Sequence, residues 1–336
     1  MSVLRGGLIG CGFVSSLHLR AWGRQALGRL AAVCDLDPAR GDAAARAAGV
    51  TAYADAAEML RRERPDFVEI CTRPESHLPL TRLAAERGVH VLCQKPAAPS
   101  LGELDAMIAA CDAAGVRLMV HENYRWRPWN VRLREEVLAG RVGKPARLAI
   151  QLHDQRCLRP GGLADQPYFA AMPRLILYEI GPHAIDFARW VLGEPERVFA
   201  LTRRVGPQPG EDVAAVTLSF PGGAVAQLDL SWATAARNSR PAWGLFDTWI
   251  DGDRGTLRTR PDGQLAWLPA GGPEEVLPVA VEDDPLVASY AAAQAHFLDR
   301  LRSGERFATD GPDTRRTMRA VFAAYESAEK GEVVAL

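Results

Sequence analysis

Leu8-Ile9-Gly10-Cys11-Gly12-Phe13-Val14-Ser15-Ser16-Leu17-His18 is the stretch that decides the fold. The apolar run Val3 to Ile9 enters it and reads as a buried strand, and a helical pattern from Ser15 to Leu27 leaves it. Between the two, Gly10, Gly12 and Ser15 stand in Gly-x-Gly-x-x-small spacing around Phe13 and Val14. The first glycine permits a tight turn, the second lets backbone approach a diphosphate, and a small third residue lets the helix pack on its strand. The N–H groups that open the helix favour an anion. A second apolar run, Leu30 to Cys34, ends at Asp35. A carboxylate there accepts hydrogen bonds from ribose hydroxyls and repels a 2′-phosphate, which selects NAD. Asp37 adds negative charge, while Arg40 keeps NADP as the alternative. An ordinary glycine-rich turn is the competing reading of the motif alone; the strand, the helix and Asp35 around it favour the dinucleotide.

Working outward, short apolar runs alternate with helical ones. Asp37 caps a helix with Pro38 at its first position, and Gly49 ends that helix. Asp55 with Glu58, and Ser100 with Glu103, have capping-box spacing. Strands are expected at Phe67–Cys71, Val89–Cys93 and Val116–Val120. Strands alternating with helices imply a parallel sheet covered on both faces, an α/β doubly wound domain over residues 1–125. Beyond it, successive strand-like runs between Arg197 and Val279, then helices at Leu286–Arg302 and Asp313–Lys330, imply an α+β domain with an open, mostly antiparallel sheet over residues 126–336.

Composition agrees with two soluble domains. The 336 residues are 48% hydrophobic and 24% charged, with 40 Lys and Arg against 41 Asp and Glu, a net charge of −1. That excludes a disordered chain and the basic excess of a nucleic-acid binder. No uncharged apolar stretch has the length of a membrane span, so no membrane partner is expected. Six cysteines without a Cys-x-x-Cys pair suit a reducing cytoplasm and fit no zinc pattern.

In an open parallel sheet, ligands bind beyond the carboxyl ends of the strands. Three loops leave those ends: Thr72-Arg73-Pro74-Glu75-Ser76-His77, Gln94-Lys95-Pro96 and His121-Glu122-Asn123-Tyr124-Arg125. Lys95 follows an apolar strand directly, in position either to donate to a substrate oxygen or simply to leave the strand as a surface lysine. Later, Glu179, His183 and Asp186 are four and three residues apart. On one helix face they would pair a carboxylate with an imidazole as a general base. Gly181-Pro182 leaves open a helix that begins only there. All three are also metal-ligand types, yet nothing else in the chain completes a metal site.

The segments LIGCGFVSSLH, CTRPESH, CQKP, LAGRVGKP, EIGPHAIDFARWVLG and AAYESAEKG together resemble the Gfo/Idh/MocA oxidoreductase family over nearly the whole length. HENYRWRPW and QPYFAAMPRLILYEIGPH resemble its apiose-dehydrogenase branch. The resemblance implies an NAD(P)-dependent dehydrogenase of sugars, inositols or related polyols, assembled as a homodimer or homotetramer through its second domain. It implies Lys95, His183 and Glu179 as catalytic residues, with Asp186 matching the family's acidic residue after the histidine. Gln94 departs from the family's usual glutamate. Gly10, Gly12, Phe13, Val14, Asp35, Thr72, Arg73, His77, Gln94, Lys95 and Asn123 are the candidate cofactor residues; Tyr124, Arg125, His153, Arg174, Glu179 and His183 are the candidate substrate residues. Two other readings stay open: a glycosidase that oxidises its substrate transiently with retained NAD, and a non-catalytic NAD-binding sensor.

Overall fold

The computed structural model describes residues 3–235 and 246–336. The chain divides into two compact units, Met1–Asn123 with Leu286–Arg316, and Tyr124–Pro285 with Thr317–Leu336. The sequence leads one to expect a single cut after residue 125; the difference lies in the return of the segment that begins at Leu286.

The first unit holds six parallel strands: β1 (Leu4–Ile9), β2 (Gly28–Cys34), β3 (Thr51–Tyr53), β4 (Phe67–Ile70), β5 (His90–Gln94) and β6 (Leu118–His121). Their order is β3-β2-β1-β4-β5-β6. Neighbouring pairs are parallel throughout, with the order reversing between β1 and β4. This is the doubly wound dinucleotide-binding order, in which ligands sit at the reversal. Five helices connect the strands: α1 (Ser15–Trp22), α2 (Pro38–Ala48), α3 (Ala56–Glu63), α4 (His77–Ala85) and α5 (Leu101–Ala113). Their starts follow the expected chemistry. Asp37, Asp55 and Ser100 accept the N–H groups of Ala39, Glu58 and Glu103. Gly49, at φ +67°, closes α2.

The second unit begins with α6 (Pro128–Leu138), β7 (Pro145–His153), α7 (Ile176–Glu179) and α8 (Gly181–Leu192). Seven more strands run from β8 (Arg197–Arg203), β9 (Val213–Ser219) and β10 (Val225–Ser231) through β11 (Asp247–Gly252), β12 (Gly255–Thr259), β13 (Leu265–Pro269) and β14 (Glu275–Leu277). Helices α9 (Pro285–Ser303) and α10 (Gly311–Lys330) follow, then β15 (Val334–Ala335). The nine strands are ordered β14-β13-β12-β11-β7-β10-β9-β8-β15. Among the described residues only the β7–β10 pair is parallel, so the sheet is mixed but mostly antiparallel. Side chains alternate between faces. Leu148, Ile150, Leu152, Ala226, Leu228 and Leu230 turn to one face and share a core with Ile185 and Ala188 of α8 and with Val321 and Ala324.

The returning segment has a packing reason. In the first unit, Val287 and Tyr290 join Ala21 in one buried cluster, and the Phe297 ring meets the edge of Phe67. A Cβ on Gly28 would lie 2.6 Å from Leu298, so β2 is a glycine where this helix presses against it. Among the described residues no helix is long and apolar enough to cross a membrane.

Candidate active site

Each unit carries its own set of chemically loaded residues. In the first, Gly10 takes φ +96°, and a Cβ there would come within 2.8 Å of the Cys71 carbonyl. Only glycine fits. A Cβ at Gly12 would meet no atom within 4 Å, so its backbone is open to approach. No side chain caps the first N–H groups of α1. Phe13 is 52% exposed in the turn, Val14 stands at the helix cap, and the Ser15 hydroxyl closes onto the Gly12 carbonyl at 2.6 Å. Asp35 holds its carboxylate in place with two backbone donors, Cys11 N–H at 2.6 Å and Asp37 N–H at 2.8 Å. A carboxylate has lone pairs beyond those two for ribose hydroxyls. Arg40 is paired with Asp37 at 3.3 Å, on an exposed face. The open glycine turn, the uncapped helix start and the fixed carboxylate fit the diphosphate and ribose of a dinucleotide.

The next loops are tied to each other. Ser76 donates to the Thr72 hydroxyl at 2.7 Å, beside the exposed Arg73. His77 is fully buried, with Nδ1 3.0 Å from the Ala97 carbonyl and Nε2 3.1 Å from the Thr72 carbonyl. Burial pushes its pKa down and outweighs those two acceptors, so the neutral ring, with a single N–H, can donate to only one of the two carbonyls at a time. Lys95 is half-buried and precedes a cis peptide to Pro96. Asn123 donates to Ser289 at 2.9 Å.

Behind Lys95 lies a buried polar group that the sequence reading missed. Gln94 accepts the Lys95 N–H at 2.6 Å and stands 2.8 Å from Nε2 of His18, whose Nδ1 is 2.7 Å from Glu69. His18 and Glu69 have no exposure. Burial alone would raise the Glu69 carboxyl, but its partners His18 and Trp22 bring it below its ordinary value. His18, Glu69 and His121 have ligand atoms within 4.8 Å of one another. Both ring nitrogens of His18 are already hydrogen-bonded, and 2.7 Å is a donor–acceptor separation. Two ligands of one tetrahedral zinc stand about 3.3 Å apart. The cluster is a hydrogen-bond network. Its signals were a glutamate inside the apolar run Phe67–Cys71 and a histidine four residues before Trp22 on α1.

In the second unit, α7 ends at Glu179 and α8 starts at Gly181, so Glu179 and His183 lie on consecutive short helices. Both are buried. Glu211 caps this segment: it accepts the N–H groups of Leu175 and Leu177 at 3.1 and 3.0 Å, and the Tyr325 hydroxyl at 2.6 Å. The Tyr124 ring stacks on His183, centroids 4.0 Å apart and planes 26° apart, and packs on Phe246 at 4.6 Å. Arg125 forks onto Asp186 with bonds of 2.6 and 2.7 Å. Thr317 donates to the same carboxylate at 3.0 Å, and Arg189 lies 3.6 Å away while forking onto Glu194.

Of the candidate substrate residues, Tyr124 and His183 therefore come together, and Arg125 anchors the helix that carries His183. Arg174 is exposed and lies over the rings of Tyr325 and Phe322. His153 pairs with Asp229 at 2.8 Å. It follows Leu152 on β7, so it faces away from the core that contains α8.

Comparison with known proteins matches residues 4–122 to the model of an oxidoreductase family with an NAD-binding Rossmann fold, and residues 130–258 to the GFO/IDH/MocA C-terminal domain. The chain is similar to D-apiose dehydrogenase from Paraburkholderia graminis, 37% identical over 99% of this chain and 89% of that one. It is 35% identical to D-apiose dehydrogenase from Rhizobium rhizogenes, over 99% of this chain and 98% of the relative. Among solved structures, an oxidoreductase from Agrobacterium radiobacter, in complex with NAD+, L-tartaric acid and magnesium, superposes with a TM-score of 0.92. It is 33% identical, covering 99% of this chain and 98% of that one.

Proposed function

Because the chain belongs to the Gfo/Idh/MocA oxidoreductases, we propose that it is an NAD-dependent dehydrogenase oxidising a hydroxyl of a sugar or related polyol, with D-apiose as the first candidate substrate. The observation that carries this reading is identity of 35–37% over 99% of the chain to two D-apiose dehydrogenases. The fixed Asp35 carboxylate and the Arg40–Asp37 pair support NAD over NADP.

NAD, when bound, supplies the acceptor for the hydride. The chain's own residues do the rest. His183 takes the hydroxyl proton, and its ring plane is set by the stack on Tyr124. Glu179, buried ahead of it, stabilises the imidazolium that results. Lys95, in the first unit, is the donor that would favour a developing alkoxide. Asp186 orients α8 through Arg125 and does not touch the substrate. Residues 126–336 supply substrate binding and the assembly surface of a homodimer or homotetramer. Six free, buried cysteines suit a reducing compartment.

The test is NADH formation, followed by absorbance, with D-apiose, D-xylose, myo-inositol and glycosides. Oxidation of a free sugar or polyol with stoichiometric NADH is expected, and Lys95→Ala and His183→Ala each reduce kcat by at least a hundredfold, within the range for acid–base groups. Unchanged rates in both variants, or glycoside cleavage without net NADH, overturn the reading.

A further inference from the structure

The buried network of the first unit fixes where one proton sits, and that proton bears on Lys95. Glu69 is a carboxylate without exposure, so it needs donors. It has three: His18 Nδ1 at 2.7 Å, Trp22 Nε1 at 2.5 Å and Gln294 Nε2 at 3.3 Å. An ionised carboxylate only accepts, so His18 carries hydrogen on Nδ1. At the other end, the Lys95 backbone N–H donates to Gln94 Oε1 at 2.6 Å. Turning the Gln94 amide over would set its NH2 against that N–H, two donors at bonding distance. The amide is thus fixed by Lys95, and its NH2 points at His18 Nε2, 2.8 Å away. Nε2 must then offer a lone pair.

We infer that Gln94 is a positioning residue: its amide holds the Lys95 backbone and does so only while His18 is neutral, with its single proton on Nδ1. This rests on the role proposed above for Lys95. An amide also passes no proton, so the hydrogen-bonded chain from Glu69 ends at Gln94 and the buried charge stays isolated from Lys95. The groups facing His18 from packed elements are Glu69 on β4, Gln94 on β5, His121 on β6, and Tyr290 and Gln294 on α9, with Trp22 on its own helix. Burial drives the His121 pKa down to about 3, so His121 adds no competing positive charge.

The experiment combines long-range 1H–15N NMR of histidine-labelled full-length protein with steady-state kinetics on Gln94→Met and Gln94→Glu. In the wild type at neutral pH, His18 is expected to carry its proton on Nδ1 and none on Nε2. Gln94→Glu keeps an acceptor for the Lys95 N–H but sets an oxygen in place of the NH2 that faces Nε2, so His18 is expected to carry a proton there as well. Gln94→Met keeps the bulk and loses both bonds; kcat falls at least tenfold with NADH affinity within threefold. Gln94→Glu recovers most of that rate, with its pH profile displaced from the wild type's. A wild-type His18 protonated on Nε2 or on both nitrogens overturns the inference, as does a Gln94→Met kcat within twofold of wild type. Should Gln94→Met not fold, the NMR of the other two proteins decides. An inactive Lys95→Ala beside the wrong His18 tautomer removes this inference alone; an active Lys95→Ala beside the expected tautomer removes the role of Lys95.

Discussion

Replacing Asp186 with asparagine removes the negative end of a buried ion pair and keeps the side chain's size. Arg125 is bound to that carboxylate by two bonds of 2.6 and 2.7 Å, and the two side chains are only 7% and 4% exposed. Arg189 retains its fork on Glu194, so the loss falls on Arg125. Breaking a buried pair from one side costs about 3–5 kcal/mol. Asparagine still offers one oxygen, which places Asp186→Asn near the lower end, at about 3 kcal/mol. Urea unfolding of the second unit, followed by tryptophan fluorescence, reads this as a lowered midpoint at unchanged slope. Removing both charges tests the reason for the loss. Arg125→Met combined with Asp186→Leu leaves no uncompensated charge and is expected to recover at least half of it. A loss below about 1 kcal/mol for Asp186→Asn, or a double variant as unstable as the sum of its singles, refutes the argument.

The remaining predictions concern the first unit. Gly10→Ala forces a Cβ to 2.8 Å from the Cys71 carbonyl at φ +96°, so it lowers stability by roughly 1–3 kcal/mol and weakens NADH binding, measured by urea unfolding and fluorescence titration. Asp35→Asn removes the charge that opposes a 2′-phosphate while still accepting one backbone N–H; the NAD to NADP preference in kcat/KM drops at least tenfold, about 1.4 kcal/mol. Acid weakens the fold. His121 binds a proton near 6.5 in the unfolded chain but only at about 3 when folded, so its stabilisation is whole above pH 6.5 and drains as pH falls towards 3. At pH 5 that group alone costs about 2 kcal/mol relative to pH 7, and equal urea midpoints at the two pH values contradict it.

Local chemistry explains how much was readable beforehand. The caps Asp37, Asp55 and Ser100 act within a few residues of themselves, and the structure finds each in its expected place. Strands β3 and β15 escaped notice because three and two residues leave no period to read. The apolar face of α9 predicts burial but does not say against which core. His18 and Glu69 pair across 51 positions, and a polar residue inside an apolar run gives no partner's address. In the second unit His183 stands in a local motif, whereas the Arg125–Asp186 pair spans 61 residues and leaves no local signal. The placement of His153 on the outer face was available in advance from the alternation Leu148, Ile150, Leu152.

Hydride transfer from a sugar carbon can be followed with one deuterium. D-apiose, and then the other sugars of the panel, are supplied with deuterium on the carbon to be oxidised, together with unlabelled NAD. Mass spectrometry of the reduced cofactor is expected to find the deuterium at the nicotinamide, one per sugar oxidised, with kcat slowed relative to the protonated sugar wherever the chemical step limits turnover. Reduced cofactor without the label, or sugar consumed with no reduced cofactor formed, contradicts the account.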